Sequence, residues 1–269
     1  GQASRGARLG AKGGQAFAAS FLCVTIFVLT FVVPVGNLLL WVLGNAEANI
    51  DARYFALIKH TFILGFVAAF FVASIALLVS FGMRLVPAAW LANLTRMTAL
   101  GYALPGSVLA VGVMVAFTYI DRSILWPLLG NGGSSGQILV GSVFALIIAY
   151  VIRYFSVGLG PIQTSLERIK PTFQEVASSL GYTHLKILWK VYLPMLMPGI
   201  LTALLFVLVE VMKEMPATML LRPFGWDTLA VRIYELTSEG EWERAALPAL
   251  TLVMVSLIPV VISIRRSRH

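Results

Sequence analysis

Glu210, Lys213 and Glu214 stand at i, i+3 and i+4, which on a helix puts two carboxylates and an ammonium on one face. Near the outer end of an apolar segment they either pair structurally or gate a pathway for a solute, and both readings stay open. Farther on, Asp227, Tyr234, Glu235, Glu239, Glu241 and Glu243 offer oxygen donors of the kind that hard metal ions prefer. Their spacing forms no recognisable cage, so they read as a solvated acidic helix facing a partner, and no metal ligand is assigned. His60, His184 and His269 lie far apart, and Cys23 is the only cysteine, which leaves neither a disulfide nor a Cys-based metal site. No nucleophile–base set stands out, and no Gly-x-x-x-x-Gly-Lys-Ser/Thr run exists to cradle phosphates. The expectation is a non-enzymatic chain that binds no cofactor of its own.

The elements that must position these residues are made for lipid. Hydrophobic residues are 59% of the 269 and charged residues only 12%, with a mean hydropathy of +0.88. A span needs about 20 apolar residues, and six runs suffice or nearly so: Ala16 to Leu43, Phe55 to Phe81, Leu100 to Ile120, Gln137 to Ile152, Met195 to Met212 and Ala245 to Ile264. They are continuously apolar, whereas barrel strands alternate, so the predicted fold class is all-α, a polytopic bundle of about six membrane helices. The first run is about twice the length of a 7–15-residue signal-peptide core and reads as retained. Residues 1–15 are rich in Gly, Ala and Arg like a linker, and 16–269 read as one membrane domain.

Basic residues gather on one side: Arg5, Arg8 and Lys12, then Arg84 and Arg96, then Arg153, Arg168, Lys170, Lys186 and Lys190, then the Arg265, Arg266 and Arg268 tail. By the positive-inside rule that side, with both termini, is cytoplasmic. The net charge of +8 is thereby explained as topology, without nucleic acid. Two connections are long, a cytoplasmic one at 153–193 and an outer one at 213–244, and function is expected to concentrate there. Gly101, Gly106, Ala110, Gly112 and Ala116 allow close helix approach, and Leu104-Pro105-Gly106 breaks the third run near its cytoplasmic end. Pro105 and Gly106 are thus either ordinary packing residues or a flexing point on a pathway.

The strongest pattern is Glu175-Val176-Ala177-Ser178-Ser179-Leu180-Gly181, followed by Ile187 and Leu193-Pro194. Pro171 and Thr172 open a helix, Glu175 suits its first turn, and Gly181 ends it with a left-handed cap. A second amphipathic helix follows, with Leu185, Leu188, Trp189 and Tyr192 on one apolar face. Small Ala177 and Ser178 would let this protrusion seat closely in a groove. On physics alone it either docks a soluble partner or lies on the membrane.

The pattern Glu-x-Ala-x-x-x-Gly, then Ile and Leu-Pro, resembles the EAA loop of permease subunits in binding-protein-dependent ABC importers, with Val176 departing from the family's Ala. Leu104 to Ala110 resembles the opening of that family's third helix. Lys213 to Thr218, Leu221 to Phe224 and Asp227 to Ala230 resemble its iron(III) branch, in particular the second half of a fused permease. The resemblance implies a coupling helix formed by Glu175, Ala177, Ser178, Leu180 and Gly181, with Leu193 and Pro194 at the loop's end. It also implies a multi-pass protein of the bacterial inner membrane working by alternating access. Its partners would be an ATP-binding cassette ATPase dimer holding ATP and Mg, a periplasmic substrate-binding protein and a second permease half or subunit. Thiamine, a polyamine or a small anion are the alternative cargoes, and an ion-coupled secondary transporter the alternative class; the spans lack its usual midplane carboxylate.

Overall fold

A computed structural model describes residues 13–45, 50–86, 88–129, 137–170 and 172–267. Most of the expected linker, the Asn131 to Gly136 turn and the Arg268 end of the tail lie outside the described residues. The described residues are mostly helical, with no strand among them. Helices α1 (Gly14–Phe27) and α2 (Val33–Asn45) join through a π turn at Val28–Val32 to make the first long rod, and α3 (Ala52–Leu85) returns as the second. Two short helices, α4 (Ala89–Met97) and α5 (Ala99–Ala103), precede α6 (Gly106–Ile120), a second π turn and α7 (Trp126–Leu129). The fourth rod is α8 (Val143–Glu167), followed by the short α9 (Thr172–Ser179). Then α10 (His184–Ile187), a π turn at Leu188–Tyr192 and α11 (Leu193–Met212) run on as one rod. Short α12 (Pro216–Leu221) and α13 (Leu229–Ser238) lead into the last rod, α14 (Trp242–Ser267).

Five of these rods are long and apolar enough to cross a membrane, and α14 carries the sixth apolar run. The core forms where α3, α8 and α11 pack mutually. Lipid tails are as apolar as leucine, so such packing rests on close contact between small residues rather than on expulsion of water. Ala68, Ala69, Ala73 and Ala76 on α3, Ala145 and Ala149 on α8 and Ala203 on α11 are all buried. Gly158 is another close approach, since a Cβ there would lie 2.5 Å from Val72. The α1–α2 rod has no buried residue in its spanning window and touches the bundle through α2 against α14.

Three boundaries differ from the sequence reading. The fourth span was expected to end at Ile152, yet α8 continues to Glu167, so the connection predicted at 153–193 contracts to the residues between Glu167 and His184. The fifth span, expected from Met195, begins at His184. The connection predicted at 213–244 does not stay outside as a loop: Ala217, Thr218, Leu221, Leu229 and Val231 are buried, and α12 packs on α6 and α8.

At the other connection, Asp121 is 4% exposed and its carboxylate accepts the backbone N–H of Leu139 through both oxygens at 3.1 Å. That ties the residues leading into α8 to the π turn that precedes α7.

Candidate functional site

The bundle holds its charge in the middle. Arg153 lies ten residues into α8, about 15 Å from its start at 1.5 Å per residue, and its Nε donates to Glu214 Oε2 at 3.1 Å. Tyr154 donates its hydroxyl to the same oxygen at 2.5 Å, and the backbone N–H of Ala217 donates to Oε1 at 3.1 Å. Glu214 is only 6% exposed. A carboxylate in such a place needs a partner charge and filled lone pairs, and it has both. Tyr150 and Thr218 share a hydroxyl hydrogen bond of 2.6 Å one turn away.

This cluster clasps the break in the third run. Pro105 cannot donate a backbone hydrogen bond and holds its predecessor out of the helical region, so Leu104 and Pro105 are extended, with ψ of 141° and 137°. Arg153 Nη1 donates to the exposed Leu104 carbonyl at 2.5 Å. A Cβ on Gly106 would strike Glu214 Oε1, and one on Gly101 would strike the Ile152 carbonyl oxygen. The break lies at the end of the third run, where α6 begins, and it rests against the middle of α8. Gly106 and Ala110 meet neighbours, whereas Gly112 has open space beside it.

Pro105, Gly106 and Glu214 thus come together, while Glu210 and Lys213 do not join them. Helix α11 stops at Met212, and Lys213 turns away with ψ near 0°, so the i, i+4 face predicted for all three ends before Glu214. Lys213 pairs with Glu210 at 2.7 Å where both see solvent or lipid. Arg153 and Tyr154 were missed as members of the site; an arginine interrupting an apolar helix was the available signal. Arg153 also leaves the count of loop charges.

The Glu175 to Gly181 segment lies at one end of the bundle. Gly181 has φ +78°, its N–H donates to Ser178 O at 3.0 Å, and Tyr182 N–H donates to Ala177 O at 3.1 Å. This is a Schellman cap, and it turns the chain sharply into α10. Ala177 is buried against Phe81, Ile187, Leu188 and Tyr192, so it anchors α9 to the bundle instead of presenting a seat. Tyr192 adds a hydrogen bond to Gln174 at 3.1 Å. Glu175, Ser178 and Gly181 are exposed. Phe173, Val176 and Leu180, at i, i+3 and i+7, are 48%, 59% and 69% exposed and form an outward apolar stripe.

The apolar face expected on the second helix is divided by the structure. Leu188 and Tyr192 are buried, while Leu185 and Trp189 are exposed. Leu193 and Pro194, expected at the loop's end, open α11 directly after the π turn, inside a rod that already begins at His184. Pro194 removes an N–H from the ladder there, and a wide turn just upstream accommodates the loss.

At the opposite end, Arg222 pairs with both Asp227 and Glu235, and Arg53 reaches Asp227 at 3.5 Å. Asp227 and Glu235, read as part of a solvated face, are thus tied into ion pairs, as Glu241 is with Arg244, and α13 packs against α14 and α3. His60 stacks on Trp226 with centroids 4.8 Å apart. Among the described residues no three His, Cys, Asp or Glu converge as a metal would require.

The sequence profile of the family described as "Binding-protein-dependent transport system inner membrane component" matches residues 86–267. The chain is 27% identical over 245 residues to the Fe(3+)-transport system permease protein FbpB 2 of Haemophilus influenzae, covering 88% of this chain and 44% of the relative. It is 37% identical over 155 residues to PhnV of Salmonella typhimurium, a permease protein named for 2-aminoethylphosphonate transport, covering 58% of this chain and 52% of the relative. The chain therefore spans about half the length of these curated relatives. In fold it is similar to a chain of a bacterial alginate ABC transporter, with a TM-score of 0.71 at 17% identity over 94% of both chains. It is also similar to a chain of the MetNI methionine ABC transporter in inward-facing form, with a TM-score of 0.60 at 18% identity over 81% of this chain and 98% of that one. A family match across two thirds of the sequence, on a bundle of this architecture, makes the chain a member of the binding-protein-dependent transport system inner membrane components, the permease subunits of ABC importers.

Proposed function

We propose that this permease imports ferric ion by alternating access, taking it from a periplasmic binding protein, with ATP and magnesium held by a separate ATPase dimer. The observation carrying this reading is the outward stripe of Phe173, Val176 and Leu180 on a helix whose other face, Ala177, is locked to the bundle. Such a helix transmits force: an ATPase cleft grips the stripe, and the Gly181 cap passes the movement through α10 to α11. That end faces the cytoplasm in this reading, as do both termini. A second six-helix unit, fused or separate, completes the pathway, which agrees with the chain's half-length match to its relatives. Ferric cargo is favoured by the relative named for Fe(3+), whose likeness extends over 88% of the chain.

A second cargo reading has its own support in the higher identity, 37%, to the relative named for 2-aminoethylphosphonate. Reconstituting the complete transporter with each candidate binding protein separates the two. Ferric-loaded binding protein is expected to stimulate ATP hydrolysis, and stimulation by the phosphonate-loaded protein alone transfers the assignment.

A further inference from the structure

A cavity of about 480 Å³ opens between α3, α4 and α8, in the half of the bundle nearest α9. Its lining includes Ser80, Arg84, Thr95, Arg96, Gln163 and Glu167. Two guanidinium groups against one carboxylate leave an excess of positive charge. Arg84 is fixed in place, donating through Nη2 to the Ile169 carbonyl at 2.6 Å, with the rest of its fork uncommitted. Arg96 has no ion pair among the described residues and is exposed. Ser80 supplies the independent observation: it is 1% exposed, and its hydroxyl has no hydrogen-bond partner among the described residues. A buried donor without an acceptor is costly and marks a place where an acceptor belongs.

We propose that this cavity binds a phosphate oxyanion, carried either free in solution or as the headgroup of an anionic phospholipid. Guanidinium forks suit phosphate oxygens, and the Ser80 hydroxyl donates to the one lying deepest. On the face of α4 turned away from the cavity-lining Ala92, Thr95 and Arg96, Trp90, Leu94 and Met97 stand at i, i+4 and i+7 and are 61%, 52% and 62% exposed. This is an apolar face along which acyl chains can lie, and basic pockets between membrane helices are where such headgroups lodge. The site is separate from the Arg153–Glu214 cluster and does not depend on which cargo the transporter carries.

The test uses the purified full chain in neutral detergent. One arm offers phosphatidylglycerol against phosphatidylcholine and reads retained lipid by native mass spectrometry. The other offers radiolabelled inorganic phosphate in equilibrium dialysis. Wild type is expected to retain ligand in one arm, and that arm assigns the source. Ser80→Ala and Arg96→Gln, neither of which removes a bond within the fold, are expected to weaken retention about tenfold in combination. Equal retention of both lipids together with no bound phosphate overturns the proposal, as does undiminished retention by the double variant.

Discussion

In the middle of the bundle Glu214 is 6% exposed, and Arg153, Tyr154 and the Ala217 N–H all point at its carboxylate. At the end of the bundle Leu180 is 69% exposed and Val176 59%, on a helix held from behind by Ala177. One region places a carboxylate away from the surface and answers it with partners inside the chain. The other places apolar surface outward and leaves it unanswered. A fully partnered group stabilises the fold that contains it, whereas an uncovered apolar stripe on an anchored helix points to another molecule. Substitution should therefore damage the first region through folding and the second through assembly.

The largest effect is expected at Glu214. Glu214→Ala leaves the partly buried Arg153 guanidinium without its counter-charge, and breaking a pair with a buried member costs up to about 3–5 kcal/mol. Thermal unfolding in nanodiscs should show a steep loss that the double variant Glu214→Leu with Arg153→Met largely restores. An unfolding midpoint unchanged in the single variant erases the contrast drawn above. Next comes Gly199→Ala, whose added methyl meets Ser165 and lies 2.8 Å from the Pro161 carbonyl. Overpacking of this kind costs about 1–3 kcal/mol, read in the same unfolding assay with no change in ATPase binding per folded molecule. Val176→Asp inverts the pattern, with stability within about 0.5 kcal/mol of wild type but a severe drop in ATPase co-purification. Undiminished co-purification moves the docking surface elsewhere. Gly181→Asp belongs with it, adding about 1–2 kcal/mol of strain because a side chain at φ +78° is disfavoured. The smallest effect is Lys213→Gln, which loses a half-exposed pair worth about 0–1 kcal/mol.

Much of the fold was legible because membrane helices announce themselves by continuous apolarity. The cap at Gly181 was equally legible, being set by residues within one turn of it. The end of α8 was not. Arg153 reads as a boundary when only its neighbours are considered, and the residue that allows it inside, Glu214, lies 61 positions away. The Glu210, Lys213 and Glu214 face misled for a related reason: helical spacing holds only while the helix continues, and α11 ends at Met212. Leu185 and Trp189 were grouped with Leu188 and Tyr192 because periodicity records that a face is apolar without saying what covers it. Here the bundle covers two of the four.

The π turn at Leu188–Tyr192 carries a further consequence. An α-helix advances about 100° per residue, so an extra residue in a regular helix would rotate everything before it by that angle relative to everything after. The wide turn takes up that residue, and α10 and α11 keep their facing across it. Deleting one residue there would close the turn to regular helix with both ends still meshed, whereas a deletion farther along α11 would put them against the wrong teeth.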